Sequence, residues 1–229
     1  MKKIDNPGFI IRRKRIGSLG TWGGMLTLVG GMLVTYFDPQ RLDLSYGALL
    51  AGFILVTLGS SFNNRWGRPL PPDQAVDDAL KGLDDRYTIV HFRLGAEHAL
   101  FTPSGIITLL PKYERGVITY DGKKWRQQGV SILMKFFGVE ALGNPVLDAA
   151  AEANALEDRL RKILKDEEIP EIQPVILFLN ERTRVEAEGS PLPVLLSSKI
   201  KDYIRRMPKT QPLQPDQLTR VLEYIGKKT

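Results

Sequence analysis

The chain begins with two long apolar runs and then changes to short alternations of apolar and polar positions. Residues 18–37 and 45–62 carry no charged side chain, and each run is about as long as a helix needs to cross ~30 Å of hydrocarbon. The segment between them contains Asp38-Pro39, a pair that ends a helix and leaves room only for a tight turn. The pattern predicts a transmembrane helical hairpin over residues 18–62.

Residues 63–72 are predicted to be a stiff linker, because glycine and proline recur in this segment. From residue 73 onward, the apolar spacing predicts one domain that extends to residue 229. Predicted helices cover residues 73–85, 144–165, 197–206 and 215–226. Predicted strands cover residues 87–92, 98–102, 106–110, 116–120, 174–179, 185–187 and 194–196. This order is typical of an α/β fold, in which helices flank a mixed sheet.

Basic side chains are concentrated on one side of the predicted hairpin. The net charge of +6 includes six cations in residues 1–17, a basic N-terminal segment, whereas the turn between the runs holds only Arg41. Arg65 and Arg68 follow the second run. Cations mark the cytoplasmic side, so both termini and the soluble domain are expected to be cytoplasmic in a multi-pass protein of the cell membrane.

Composition adds two constraints on partners and cofactors. The chain has no cysteine, which excludes disulfides and thiolate metal sites. Small residues in the apolar runs, Gly20 with Gly24 and Gly52 with Gly59, offer faces for close helix contact. Packing within the hairpin is the favoured use of these faces, and contact with a second copy or another protein is the alternative.

Candidate chemistry lies at the end of the predicted strand 106–110. This apolar run is followed by Lys112. An acid two residues before a lysine lies on the same side of a strand, where it can hold Mg²⁺ while the ammonium orients a water for phosphodiester hydrolysis. The residue in the position of that acid is Leu110.

Several short strings occur in an order that resembles the NERD family, the nuclease-related domains of the restriction-endonuclease-like superfamily. The resemblance covers most of the chain from residue 73. The matching strings are Asp73 at a helix start, Glu97-His98, Pro103-Ser104-Gly105, Lys112, Arg115-Gly116, Trp125 and Asn144-Pro145. The chain departs from the family pattern at four positions, of which three stay polar. The helix acid is Asp73, the strand acid is Glu97, Leu110 stands where the family has a glutamate, and Asp148 where it usually has a glutamine.

The resemblance implies a restriction-endonuclease-like core with a metal-dependent site. Asp73 and Glu97 would bind Mg²⁺, and Lys112 would complete the catalytic set. Glu114 and Asp148 are the candidate substitutes for the missing acid. Because Leu110 removes a carboxylate, we expect a catalytically degenerate fold that binds nucleic acid or protein at the cytoplasmic membrane face. The alternative is an active Mg²⁺-dependent nuclease with a relocated carboxylate.

A basic and aromatic cluster is the candidate contact for nucleic acid. Lys123, Lys124 and Arg126 flank Trp125, and single-stranded nucleic acid binds where cations track phosphates and rings stack on bases. A solvated turn with an aromatic side chain in the core would give the same pattern.

Overall fold

The computed structural model describes residues 1–129, 142–165, 167–208 and 211–227. The chain separates into two compact units. One contains Met1–Asn6 together with the described residues from Asp73 onward, and the other contains Pro7–Pro72.

Helices α1 (Pro7–Phe37) and α2 (Leu42–Trp66) make up the second unit, and both are long and apolar enough to cross a membrane. They extend beyond the predicted spans, since α1 starts eleven residues before residue 18 and α2 ends four residues after residue 62. At ~1.5 Å per residue, α1 exceeds the ~30 Å hydrocarbon thickness, so its first turns can carry charge. The linker is correspondingly shorter than predicted, because Trp66 is helical and the next helix, α3 (Pro72–Leu80), begins at Pro72.

Small residues form the contact between α1 and α2. A Cβ added at Gly59 would clash with the backbone of Gly20 and Thr21, and one added at Gly52 would clash with the backbone of Gly24. The glycines that the sequence offered as contact faces therefore lie inside the hairpin. Such close approach of two backbones is the usual role of small residues in apolar helices.

A mixed sheet of six strands forms the centre of the first unit. Its order is β1-β2-β3-β4-β7-β9, with β2–β3 and β3–β4 antiparallel and the other pairs parallel. The strands are β1 (Lys2–Ile4), β2 (Thr88–His91), β3 (His98–Thr102), β4 (Gly105–Lys112), β7 (Ile172–Phe178) and β9 (Val194–Leu196). A second sheet, β6-β5-β8, contains β5 (Gly116–Tyr120), β6 (Trp125–Gln128) and β8 (Thr183–Glu186).

The strand β1 changes the domain boundaries that the sequence predicted. Residues 1–17 were expected to be a single basic segment, but Lys2, Lys3 and Ile4 pair in parallel with Thr88, Ile89 and Val90. The apolar hairpin is thus inserted between the first strand of the sheet and the rest of its domain.

Helices cover the two faces of the six-stranded sheet. On one face, α3 (Pro72–Leu80) and α5 (Ile200–Arg206) pack against a cluster that includes Leu100, Ile107 and Leu109. On the other face, α4 (Pro145–Leu164) and α6 (Pro215–Gly226) pack against Phe101 and Ile106. The predicted mixed α/β architecture with two apolar N-terminal helices is confirmed at this level.

Candidate functional site

Lys112 lies at the end of β4 with its ammonium enclosed by protein. The strand leads it to the α4 side of the sheet, where Nζ donates to Asp148 Oδ2 at 3.1 Å and to the Leu142 carbonyl at 3.3 Å. Asn144 caps α4, since its side chain accepts from the Leu147 N–H, and Pro145 is the first helical residue. This helix start brings Asp148 to the lysine. We call Lys112, Asp148, the Leu142 carbonyl and Leu110 the Lys112 centre.

Leu110, at the position where the NERD resemblance would place an acid, is surrounded by apolar side chains. Its side chain is only 6% exposed and belongs to a cluster with Ile118, Ile176 and Phe178. In the parallel register Leu110 is opposite Ile176 and Lys112 is opposite Phe178. A carboxylate placed there would lose its hydration without gaining metal-binding neighbours from this cluster.

The other predicted metal ligands are distributed over different parts of the first unit. Asp73 is the second residue of α3, whose apolar side chains pack on the sheet face opposite to α4. Glu97 lies immediately before β3, and its N–H donates to the Glu152 carboxylate one turn after Asp148 on α4. Helix α4 thus borders both Glu97 and Lys112, whereas Asp73 belongs to the helix that packs on the other face.

Glu114, a candidate substitute acid, follows Lys112 by two residues and is buried. Only 3% of the residue is exposed, and its backbone carbonyl accepts from the Thr183 hydroxyl of β8. These contacts assign Glu114 to the junction of β4 with the second sheet. Asp148 is the candidate substitute that actually meets Lys112.

The residues at the Lys112 centre do not fit Mg²⁺. The ion takes near-octahedral oxygen coordination with at least one or two available carboxylates. Here Asp148, the one carboxylate of this centre, is engaged by the lysine, and Leu110 offers no oxygen. The arrangement is a buried ammonium with its counter-charge.

The predicted nucleic-acid cluster forms the β5–β6 hairpin. Asp121 accepts the backbone N–H groups of Lys123 and Lys124 in the turn, and these hydrogen bonds lower the pKa of its carboxyl group. Asp121 also pairs with Arg126, while the two lysine side chains extend into solvent. Trp125 lies against the Tyr120 ring, with centroids 4.8 Å apart. Its Nε1 is buried and has no hydrogen-bond partner among the described residues.

A second group of polar side chains lies near the β1 edge of the six-stranded sheet. One ligand atom each from Asp5, Asp77 and His91 lies within 4.8 Å of the others. Asp5 follows β1, Asp77 is in α3 and His91 ends β2. We call these three residues the His91 centre. The sequence does not reveal this group, because its members are distant along the chain and Asp5 is brought in only by the unpredicted strand β1.

Lys3 and burial set the charge state of Asp77. Partial burial raises the pKa of this carboxyl group, but hydrogen bonds from His91 and Lys3 outweigh it and hold the pKa below its ordinary value. The Lys3 ammonium is 2.6 Å from Oδ2, whereas Oδ1 faces His91. Asp77 is therefore anionic near neutral pH.

No protein-family model, no curated protein and no solved structure matches this chain. The class is defined by the fold itself, a mixed α/β protein with two long apolar helices between the first strand and the rest of its sheet.

Proposed function

We propose that the protein is anchored in the cell membrane by α1 and α2 and that its α/β unit is a degenerate, NERD-like nuclease fold that binds nucleic acid at the cytoplasmic face without cleaving it. The observation that carries the proposal is the Lys112 centre, in which Leu110 is packed among apolar side chains and the Lys112 ammonium pairs with Asp148.

Exposed apolar surface supports membrane insertion. Large side chains on the outside of the hairpin, among them Leu19, Trp22 and Leu26, are more than half exposed, which is costly in water. Two crossings also return the chain to the side it left. This path agrees with the pairing of β1 and β2, since both strands of one sheet must lie on the same side.

Thiol labelling tests the topology, because the natural chain has no cysteine. We expect Gln40→Cys, between the helices, to react with a membrane-impermeant reagent on intact cells. Glu171→Cys, in the α/β unit, is expected to react only after permeabilisation. The reverse pattern would contradict the cytoplasmic orientation, and labelling of both positions would contradict the two-span anchor.

The β5–β6 hairpin is the proposed nucleic-acid contact. Lys123 and Lys124 present two solvated ammonium groups beside the Trp125 and Tyr120 rings, while Arg126 is held by Asp121. Residues 73–229 contain equal numbers of acidic and basic side chains, so attraction to phosphates is local. Two phosphate contacts to a single strand give a slope of log K against log salt of about −1.4.

Fluorescence anisotropy of a labelled single-stranded oligonucleotide with the full chain in lipid nanodiscs tests this contact. Replacing both Lys123 and Lys124 with alanine is expected to weaken binding roughly fivefold or more at low salt and to abolish most of the slope. The matched control replaces Arg205 and Arg206, an exposed pair on α5, with alanine. Equal losses in both variants would contradict the hairpin contact, and no binding by the natural chain would favour a protein partner.

An active nuclease is the second candidate, and the contact between Lys112 and Asp148 is the observation in its favour. In that case Asp148 would replace the family acid. Cleavage of single- or double-stranded DNA in the presence of Mg²⁺, lost in Asp148→Ala, would establish it and overturn the non-cleaving proposal.

A further inference from the structure

The ligand atoms of the His91 centre are spaced widely for hydrogen bonds, and one of the separations matches that of ligands in a zinc site. His91 Nε2 is 3.4 Å from Asp77 Oδ1 and 3.8 Å from Asp5 Oδ1. Both separations exceed the ordinary 2.7–3.2 Å range of N–H···O hydrogen bonds. Tetrahedral ligands at about 2.0–2.1 Å from a zinc ion are ~3.3–3.4 Å apart, close to the shorter separation.

The other nitrogen of His91 supplies the support that metal-binding imidazoles have. His91 is fully buried, and its Nδ1 is 2.6 Å from Nδ1 of His98, its cross-strand neighbour in the β2–β3 pair. One of these nitrogens must donate to the other. When His91 donates, its Nε2 lone pair points toward two carboxylates, an arrangement that a cation stabilises and that fixes the tautomer for metal binding.

The surroundings allow an ion to reach and remain in the centre. His91 is fully buried and Asp77 has 14% of its side chain exposed, whereas Asp5 is 46% exposed and leaves the centre open to solvent. Lys3 occupies only Oδ2 of Asp77, so Oδ1 remains directed at the centre. Two carboxylates balance a divalent ion, and the open side leaves a fourth position for water.

We propose that the His91 centre binds one divalent transition-metal ion, with Zn²⁺ as the best match, through His91 Nε2 and one carboxylate oxygen each from Asp5 and Asp77. A nitrogen ligand favours zinc or another transition metal over Mg²⁺, which prefers oxygen ligands throughout.

The ion would fasten the first strand to the domain. Asp5 follows β1 directly, whereas Asp77 and His91 belong to α3 and β2. The same junction is closed by Asn6, whose side chain donates to the Phe92 carbonyl, and by Arg93, whose guanidinium donates to the Asp5 carbonyl. Zinc binding would stabilise this junction further, because a ligand that binds only the native arrangement stabilises that arrangement.

Calorimetric titration of Zn²⁺ into the untagged full chain in detergent, after removal of metal by chelation, tests the proposal. We expect one ion per chain and competition by Co²⁺, with visible absorption of a tetrahedral cobalt site. Excess Mg²⁺ is expected not to displace zinc. The Asp5→Asn substitution is at an exposed position and should leave the fold intact while weakening zinc binding at least about tenfold.

Asp78→Asn is the matched control, since Asp78 is the exposed neighbour of Asp77 on α3 and is outside the group. It is expected to bind zinc like the natural chain. Hydrogen exchange gives a second readout, because zinc should slow exchange at residues 2–4 in the natural chain and not in Asp5→Asn. Absence of zinc binding by the natural chain, or equal binding by Asp5→Asn and Asp78→Asn, would overturn the proposal.

Discussion

The Lys112 centre and the His91 centre both lie at strand ends of one sheet, yet their polar groups are arranged in opposite ways. At the Lys112 centre, a buried ammonium donates to Asp148 and to a carbonyl, and Leu110 is buried in an apolar cluster. At the His91 centre, three ligand atoms face one another at distances too long for good hydrogen bonds. A sequence motif can therefore indicate where a strand ends, but the side chains that meet at this end come from other elements and depend on how those elements pack.

The largest expected effect comes from placing an acid at position 110, as the NERD resemblance would have it. Leu110→Glu replaces a buried apolar side chain with a carboxylate among Ile176 and Phe178. We expect a loss of about 3–5 kcal/mol in the free energy of unfolding, as for an uncompensated buried charge. Thermal unfolding measures it, with Leu110→Ala, expected to lose about 2–4 kcal/mol, as the control for lost volume. Mg²⁺-dependent cleavage gained by Leu110→Glu would remove the contrast between the two centres.

Unequal costs are expected from the two halves of the Lys112 ion pair. The Lys112 side chain is 9% exposed and that of Asp148 is 48% exposed. Asp148→Ala leaves a buried ammonium with one carbonyl partner and should cost about 1–3 kcal/mol. Lys112→Met leaves a carboxylate that water can reach, so its cost should be smaller. Chemical denaturation of both variants checks the order, and a larger cost for Lys112→Met would show that the ammonium is not the group that depends on its partner.

Some strands of the sheets could be predicted from the sequence and others could not, for physical reasons. Strand β3 was predicted with its observed bounds, because a Pro-Ser-Gly turn ends a buried apolar run. Strand β1 was not predicted, because its three residues include two lysines and its partner is more than eighty residues away. Strand β6 was also missed, since only Trp125 in it is apolar.

The same division holds for the candidate site residues. Lys112 and Asp148 were both singled out from the sequence, and their contact follows from the packing of α4 on β4. Asp73 was expected near them because of its position in the family order. The order of motifs along the chain does not specify on which face of the sheet α3 packs, because tertiary contacts determine that face.

The pH dependence of the His91 centre is expected to be the smaller effect. The pKa of Asp77 is lowered in the folded state, so its contribution is present above the unfolded pKa of about 3.9 and is lost as pH falls through the folded value. Lys3→Met should therefore reduce stability near neutral pH by about 0.5–1 kcal/mol, because Lys3 is half exposed and screened. Acid unfolding should shift to higher pH. If Lys3→Met unfolds at the same acidic pH as the natural chain, Lys3 does not stabilise the charged form of Asp77.

The most direct test of the difference between the two centres is calorimetric titration of Mg²⁺ into the full chain. Cleavage of single- and double-stranded DNA is assayed in the same samples. The closed Lys112 centre predicts no binding at millimolar Mg²⁺ and no cleavage. Saturable Mg²⁺ binding with cleavage, both abolished by Lys112→Met, would show that this centre is an active metal site and would contradict the proposal of a non-cleaving protein.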